Sequence, residues 1–130
     1  MKQKKVTLYW LEHSKYDLDT AKAMFDSGRY LYVTFMCQQA IEKLLKAIIT
    51  IKKEETPPKI HNLSRLAEIS EVLVGLNEDQ INLLATLTPF CITARYADYG
   101  EKMSKLTNKK LANGYYTKTV ELFKCLKKMI

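Results

Sequence analysis

The sequence predicts an all-α fold, an antiparallel four-helix up-and-down bundle with a short additional helix. Glycine and proline are scarce, with four and three residues in 130, so few positions interrupt a helix. No run alternates β-branched and polar residues between turn signals. Apolar side chains recur instead at helical spacing along most of the chain.

In the first segment Leu11, Leu18 and Phe25 return every seven residues, with Ser14 and Ala21 in the intermediate turns, and Ser27-Gly28 supplies the stop. The second helix is predicted from Tyr30 to about Ile51, roughly 30 Å of rise. Cys37, Ile41, Leu44, Leu45, Ile48 and Ile49 mark its buried face; Gln38, Gln39, Glu42, Lys43 and Lys46 mark another. The short connection between these two helices makes them a hairpin. "KKEETPPK" ends the second, because consecutive prolines cannot continue the hydrogen-bond ladder.

A short third helix is predicted after a cap near Asn62, carrying Leu63, Leu66, Ala67, Ile69 and Leu73. Asn77 as N-cap with Gln80 three residues later is a capping-box pattern that opens the fourth. Pro89 interrupts or kinks it, helical geometry is expected to resume briefly before Arg95, and residues 98–104 read as loop. The last helix is predicted from about Thr107 to Met129, with Leu111, Tyr115, Leu122, Leu126 and Met129 on a shared side. Asn113-Gly114 weakens its first half and leaves a start near Tyr115 as the alternative.

Residues 1–130 are expected to form a single domain, since a chain of this length buries a complete core. Hydrophobic residues at 47% and charged residues at 27% argue against disorder. No run approaches the roughly 18 to 20 apolar residues needed to cross a bilayer. The first residues become charged before a signal-peptide core forms, so a cytoplasmic protein without membrane contact is expected. Cys37, Cys91 and Cys125 are far apart and odd in number, which reads as buried thiols rather than a disulfide framework or a zinc site. The formal charge of +7 favours an anionic partner without choosing among nucleic acid, nucleotide and acidic protein. Lysine runs at both ends usually read as solvated surface.

The stretch "CQQAIEKLLKA", residues 37–47, is the most informative. Glu42 and Lys46 stand four apart, and Gln39 and Lys43 repeat the spacing on the adjacent strip, so the helix carries a polar, partly basic face. That face reads as a ligand surface or as an ordinary solvated one. His61, ahead of the third helix, reads either as an anion ligand or acid–base group, or as a residue that hydrogen-bonds the loop and fixes the approach of the helix. His13, beside Trp10, reads as surface. In "CITARYADYG", Arg95 with Tyr96 and Tyr99 offers a planar guanidinium flanked by rings that stack a base or simply pack. An internal ion pair from Arg95 to Glu42 or Asp17 is the structural alternative. The sequence shows no glycine-rich phosphate loop, no histidine pair at metal-ligand spacing, and no serine or cysteine nucleophile with a placed base. The third helix carries Arg65 alone, not the several side chains of a DNA-reading helix.

Taken in order, "YWLEHSKYDLDTAKAMFDSGRY", "FMCQQAIEKLLKAII", "PPKIHNLSRL" and "LTPFCITARYADYG", followed by a final amphipathic helix, resemble the HEPN domain family of prokaryotes over nearly the whole chain. The resemblance implies a four-helix core that dimerises with polar positions of two protomers facing across a cleft. It also implies pairing with a minimal nucleotidyltransferase (MNT) in a toxin–antitoxin-like module. Ribonuclease members carry an arginine, four to six intervening residues and a histidine. Here Gly100, Glu101 and Lys102 occupy the histidine positions after Arg95. The proton-transfer group of metal-independent RNA cleavage is therefore missing where the family places it. The resemblance thus implies a homodimer that binds a nucleotide or an MNT-type nucleotidyltransferase through Arg95, Tyr96, Tyr99, Gln39, Lys43, Lys46 and His61, without cofactor, metal or catalysis of its own. RNA is a further partner in view. Two alternatives stay open: a ribonuclease in which Tyr99 or His61 replaces the absent histidine, and a dimeric scaffold.

Overall fold

A helix of 24 residues, Tyr30–Lys53, runs through the middle of the structure. It contains neither glycine nor proline, and from Cys37 to Thr50 every side chain except Gln39 and Lys43 is buried. We call it α2. The computed structural model describes residues 2–92 and 107–130, and the side chains from Lys4 onward. The brief helix expected before Arg95 and the loop expected at 98–104 lie outside the described residues.

Helix α1, Lys2–Asp26, precedes α2 and is its main packing partner. Gly28 sits between them at φ +78°, a backbone conformation that costs other residues steric strain. The contacts show an antiparallel register: Thr7 meets Thr50, Asp17 meets Lys43, and the Phe25 and Tyr30 rings touch at the hairpin end. Ser14, Leu18 and Ala21 form the buried stripe of α1, as their spacing predicts, with Leu11 and Phe25 half-buried beside it.

After the Pro57-Pro58 stretch comes α3, Leu63–Ile69, capped by the Asn62 side chain accepting from the Arg65 amide. Leu73, expected on this helix, instead begins a 3-10 turn, Leu73–Gly75, and still packs against the core. Helix α4, Glu78–Leu87, opens with the predicted capping box between Asn77 and Gln80. It gives way at Pro89 to a 3-10 turn, Thr88–Ile92. The last helix, α5, spans Lys109–Lys127 and is capped by Asn108, which accepts from the Leu111 amide. Gly114 therefore lies inside the helix rather than ahead of it. Leu111, expected on the buried side, is 42% exposed, and Ala112 is buried in its place.

Among the described residues there is no strand, and no helix is long and apolar enough to cross a membrane. The core joins Leu18 and Ala21 of α1 to Ile41, Leu44, Leu45 and Ile48 of α2, Leu63 and Leu66 of α3, Leu84 and Leu87 of α4, and Leu122 and Leu126 of α5. The three cysteines form no disulfide. Burial pushes the Cys37 thiol up to about 12, with the Thr119 hydroxyl opposing weakly. Thr119 Oγ1 itself is buried without a hydrogen-bond partner of ordinary geometry among the described residues. Cys125 departs from the expectation of burial: it is half-exposed, with Sγ 3.8 Å from the Gly75 carbonyl.

Two substitutions test this account of the helices. A Cβ at Gly114 meets nothing within 4 Å, so Gly114→Ala is expected to raise the unfolding free energy by about 1 kcal/mol. Asn77→Ala removes a side-chain cap and is expected to lower it by about 1 kcal/mol. Urea denaturation reads both.

Candidate functional site

The polar face of α2 does not lie in water. Gln38, Glu42 and Lys46 follow one another at four-residue spacing and are all buried, so the solvated-face reading of this stretch is corrected. The reason is the hairpin: α1 covers α2 along its length, and the loop carrying His61 crosses its other flank.

Glu42 is the centre of the cluster and is only 4% exposed. Its Oε1 accepts from Gln38 Nε2 at 3.1 Å and lies 2.9 Å from His61 Nδ1, and its Oε2 accepts from Lys46 Nζ at 3.2 Å. Gln38 Nε2 also donates to the His61 carbonyl at 3.0 Å, so one amide ties both the ring and the backbone of His61 to α2. Gln39 Nε2 completes the arrangement by donating to Gln38 Oε1 at 2.7 Å. The Lys46 ammonium stands 5.4 Å from the centroid of the Trp10 ring, so α1 supplies an aromatic face to the same cation.

Facing a carboxylate, His61 Nδ1 carries a proton and donates it. Nε2 is then the ring atom left for a ligand, an acceptor in the neutral ring and a donor in the charged one. The His61 side chain is 42% exposed, whereas Glu42 and Lys46 are covered, so the cluster meets solvent at the imidazole. A second ion pair, Lys43 with Asp17, stitches α2 to α1 on the neighbouring strip. Asp17 also borders a shallow hollow of about 360 Å³ with Glu12, His13 and Tyr16. His13 is exposed at its edge, its ring tilted by 40° against that of Tyr9 with centroids 4.2 Å apart.

The structure therefore brings Gln39, Lys46 and His61 into one bonded group around Glu42, with Lys43 adjacent but turned to Asp17. Both lysines contact carboxylates of their own chain, so a ligand that uses them extends or displaces an existing pair. Arg95, Tyr96 and Tyr99 lie outside the described residues. The carboxylates offered as internal partners for Arg95, Glu42 and Asp17, each hold a cation already. Sequence reasoning placed Glu42 with Lys46 by spacing but missed Gln38 as a hub and Trp10 as a cover. The four-residue ladder of Gln38, Glu42 and Lys46 was the available signal. Among the described residues no group of three or more His, Cys, Asp and Glu side chains is placed to hold a metal.

Among the described residues, a helical hairpin closed by three further helices, with a satisfied polar cluster between hairpin and loop, defines a small all-α domain of a particular kind. Residues 7–129 match the HEPN domain, and the chain belongs to that family. Its fold is similar to the crystal structure of TT1696 from Thermus thermophilus, with a TM-score of 0.80 and 19% identity over 95% of this chain and 98% of that one. It is similar also to ST0689, described as an archaeal HEPN homologue, with a TM-score of 0.74 and 19% identity over 95% and 96% of the two chains. Among curated proteins none matches the chain. Likeness at this level of identity establishes the fold.

The cluster makes a stability prediction. Removing one member of a buried pair leaves an uncompensated charge, so Glu42→Leu is expected to lower the unfolding free energy by about 3–5 kcal/mol. Adding Lys46→Met to it should restore most of the loss, because a buried ion pair replaced by apolar groups of similar size is close to neutral. A double-mutant cycle in urea checks the coupling.

Proposed function

We propose that this HEPN-domain protein is a binding module that acts as a homodimer, holding a nucleotide or an MNT-type nucleotidyltransferase partner in a toxin–antitoxin-like pair, and is not catalytic by itself. The binding surface is assigned to Gln39, Lys43, Lys46 and His61 together with Arg95, Tyr96 and Tyr99. The observation that supports this reading is the half-exposed imidazole of His61, fixed by a buried carboxylate at the mouth of an otherwise covered polar cluster. A group positioned in this way presents one ring nitrogen in a set direction, which favours recognition of a polar ligand. Arg95 adds a bidentate fork for phosphate or carboxylate, and the tyrosines add stacking faces.

A second reading rests on the same contact. A histidine oriented by a carboxylate through Nδ1 is also the arrangement of a general base. It supports a metal-independent ribonuclease in which His61 replaces the absent histidine. A dimeric scaffold without a ligand is the third reading.

The three separate experimentally. In a nucleotide thermal-shift panel, a ligand at 100 times its dissociation constant adds about 2.7 kcal/mol of stability. Arg95→Ala and His61→Asn should each weaken that binding at least tenfold in calorimetry, with far-UV circular dichroism unchanged. Metal-free cleavage of a structured RNA, lost in His61→Asn, would replace the binding reading with the ribonuclease one. Light scattering at twice the monomer mass, with no shift from any nucleotide and no complex with a co-expressed nucleotidyltransferase, would leave the scaffold.

A further inference from the structure

The positive charge of this protein is unevenly neutralised. On α1 and α2, Lys15, Lys22, Lys43, Lys46 and Lys53 sit in ion pairs with carboxylates of the same chain, while Lys4, Lys5 and Lys52 have none among the described residues. From residue 107 to the end the chain carries six lysines, 109, 110, 118, 124, 127 and 128, against the single carboxylate of Glu121. All six are exposed, and none forms an ion pair among the described residues. That is a net +5 on one helix and its cap, out of +7 for the protein.

Helical geometry gathers five of these six charges, all but Lys118. At about 100° per residue, Lys109, Lys110, Lys124, Lys127 and Lys128 fall within an arc of roughly 100°. The buried side chains Ala112, Thr119, Leu122, Phe123 and Leu126 occupy the opposite side of α5. The strip runs from residue 109 to 128, about 28 Å along the axis, as two clusters about 21 Å apart, Lys109 and Lys110 at one end and Lys124, Lys127 and Lys128 at the other. Near its end Lys124, Lys127 and Lys128, with Gln80 of α4, Cys125 and Glu121, line an open groove of about 540 Å³. The acidic first turn of α4, Glu78 and Asp79, contributes nothing to that lining.

Cations in the last turn of a helix are explained by the macrodipole alone. Lys109 and Lys110 are not. They occupy the first turn, which holds no acidic residue, where the dipole disfavours positive charge. A helix that places lysines against its own dipole at one end, and leaves those at both ends unpaired among the described residues, is arranged for an external anion of matching length.

We propose that the exposed face of α5 is a docking surface for the phosphate backbone of a duplex nucleic acid, distinct from the site around His61. A 28 Å strip covers about eight steps at 3.4 Å per step on one strand. The strip has no arginine and no aromatic ring, the side chains that anchor specific protein interfaces. Lysine supplies mobile point charges suited to sequence-independent neutralisation of phosphates. Ala112, Leu122, Phe123 and Leu126 of α5 are buried in the bundle, and Leu111 alone among its leucines is exposed, too little apolar surface to enter a membrane.

The test is fluorescence anisotropy of the purified protein with labelled 20-base-pair RNA and DNA duplexes of unrelated sequences, from 50 to 200 mM salt. Five phosphate contacts predict that affinity falls by about two to three orders of magnitude over that range, equally for every sequence. Lys124→Gln, Lys127→Gln and Lys128→Gln combined should reduce the slope of log K against log salt by about 2 to 3. Lys15→Gln, Lys22→Gln and Lys53→Gln combined remove the same net charge and should leave the slope unchanged. Glu121→Gln should tighten binding. Equal losses in both triple variants, a tenfold preference for RNA or DNA, absence of binding at 50 mM salt, or equal competition by polyglutamate at matched charge would each overturn the proposal. Thermal unfolding of every variant alongside the parent establishes that the fold is held constant.

Discussion

A carboxylate buried to within a few per cent of complete exclusion from solvent constrains everything around it. Taking Glu42 out of water costs several kcal/mol, and the structure offsets this with an amide, an imidazole and an ammonium drawn from α2 and from the loop before α3. The demand is geometric as well as electrostatic. Three donors reach two oxygens only if the His61 loop lies across α2 at one height, and the Gln38 amide pins that height by bonding the loop backbone as well as the carboxylate. The hairpin, the loop crossing and the start of α3 are thereby set in one register. A core of leucine and isoleucine alone tolerates sliding; a saturated carboxylate does not.

The helices were legible in the sequence because their determinants are local. Gly28, the paired prolines and the Asn62 and Asn77 caps each act within four residues, and each holds in the structure. The contacts that make the site are not local. Gln38 and Glu42 meet His61 across 23 and 19 residues, and Asp17 meets Lys43 across 26. Helical periodicity assigns those side chains to a polar face and carries no information about what will cover it. The phase of α5 failed for a related reason. Leucine at 111 outweighed alanine at 112 on hydrophobicity, whereas packing placed the small side chain inside and left the larger one 42% exposed. A close helix approach selects for size before it selects for oil-like character.

Charge follows the same division between inside and outside. Several cations of the hairpin are engaged by carboxylates of the same chain: Lys46 holds Glu42, Lys43 holds Asp17, and Lys53 reaches Glu71 beyond α3, whose carboxyl is held below its usual range by that hydrogen bond and the lysine charge. These pairs serve the tertiary structure and contribute little to the field felt at a distance. The lysines of α5 have no such engagement among the described residues, so the far field of the molecule is lopsided although its composition gives no sign of where the excess lies. Net charge alone could not have separated the two populations.

Trp10 is the sole indole of the chain, and it rests beside the Lys46 ammonium with the Tyr9 ring packed edge-on against it. Its emission arises from one place in the fold, next to the cation that neutralises Glu42. The molecule thus carries an intrinsic optical gauge of its most constrained region, one that needs no dye or label to register a disturbance there.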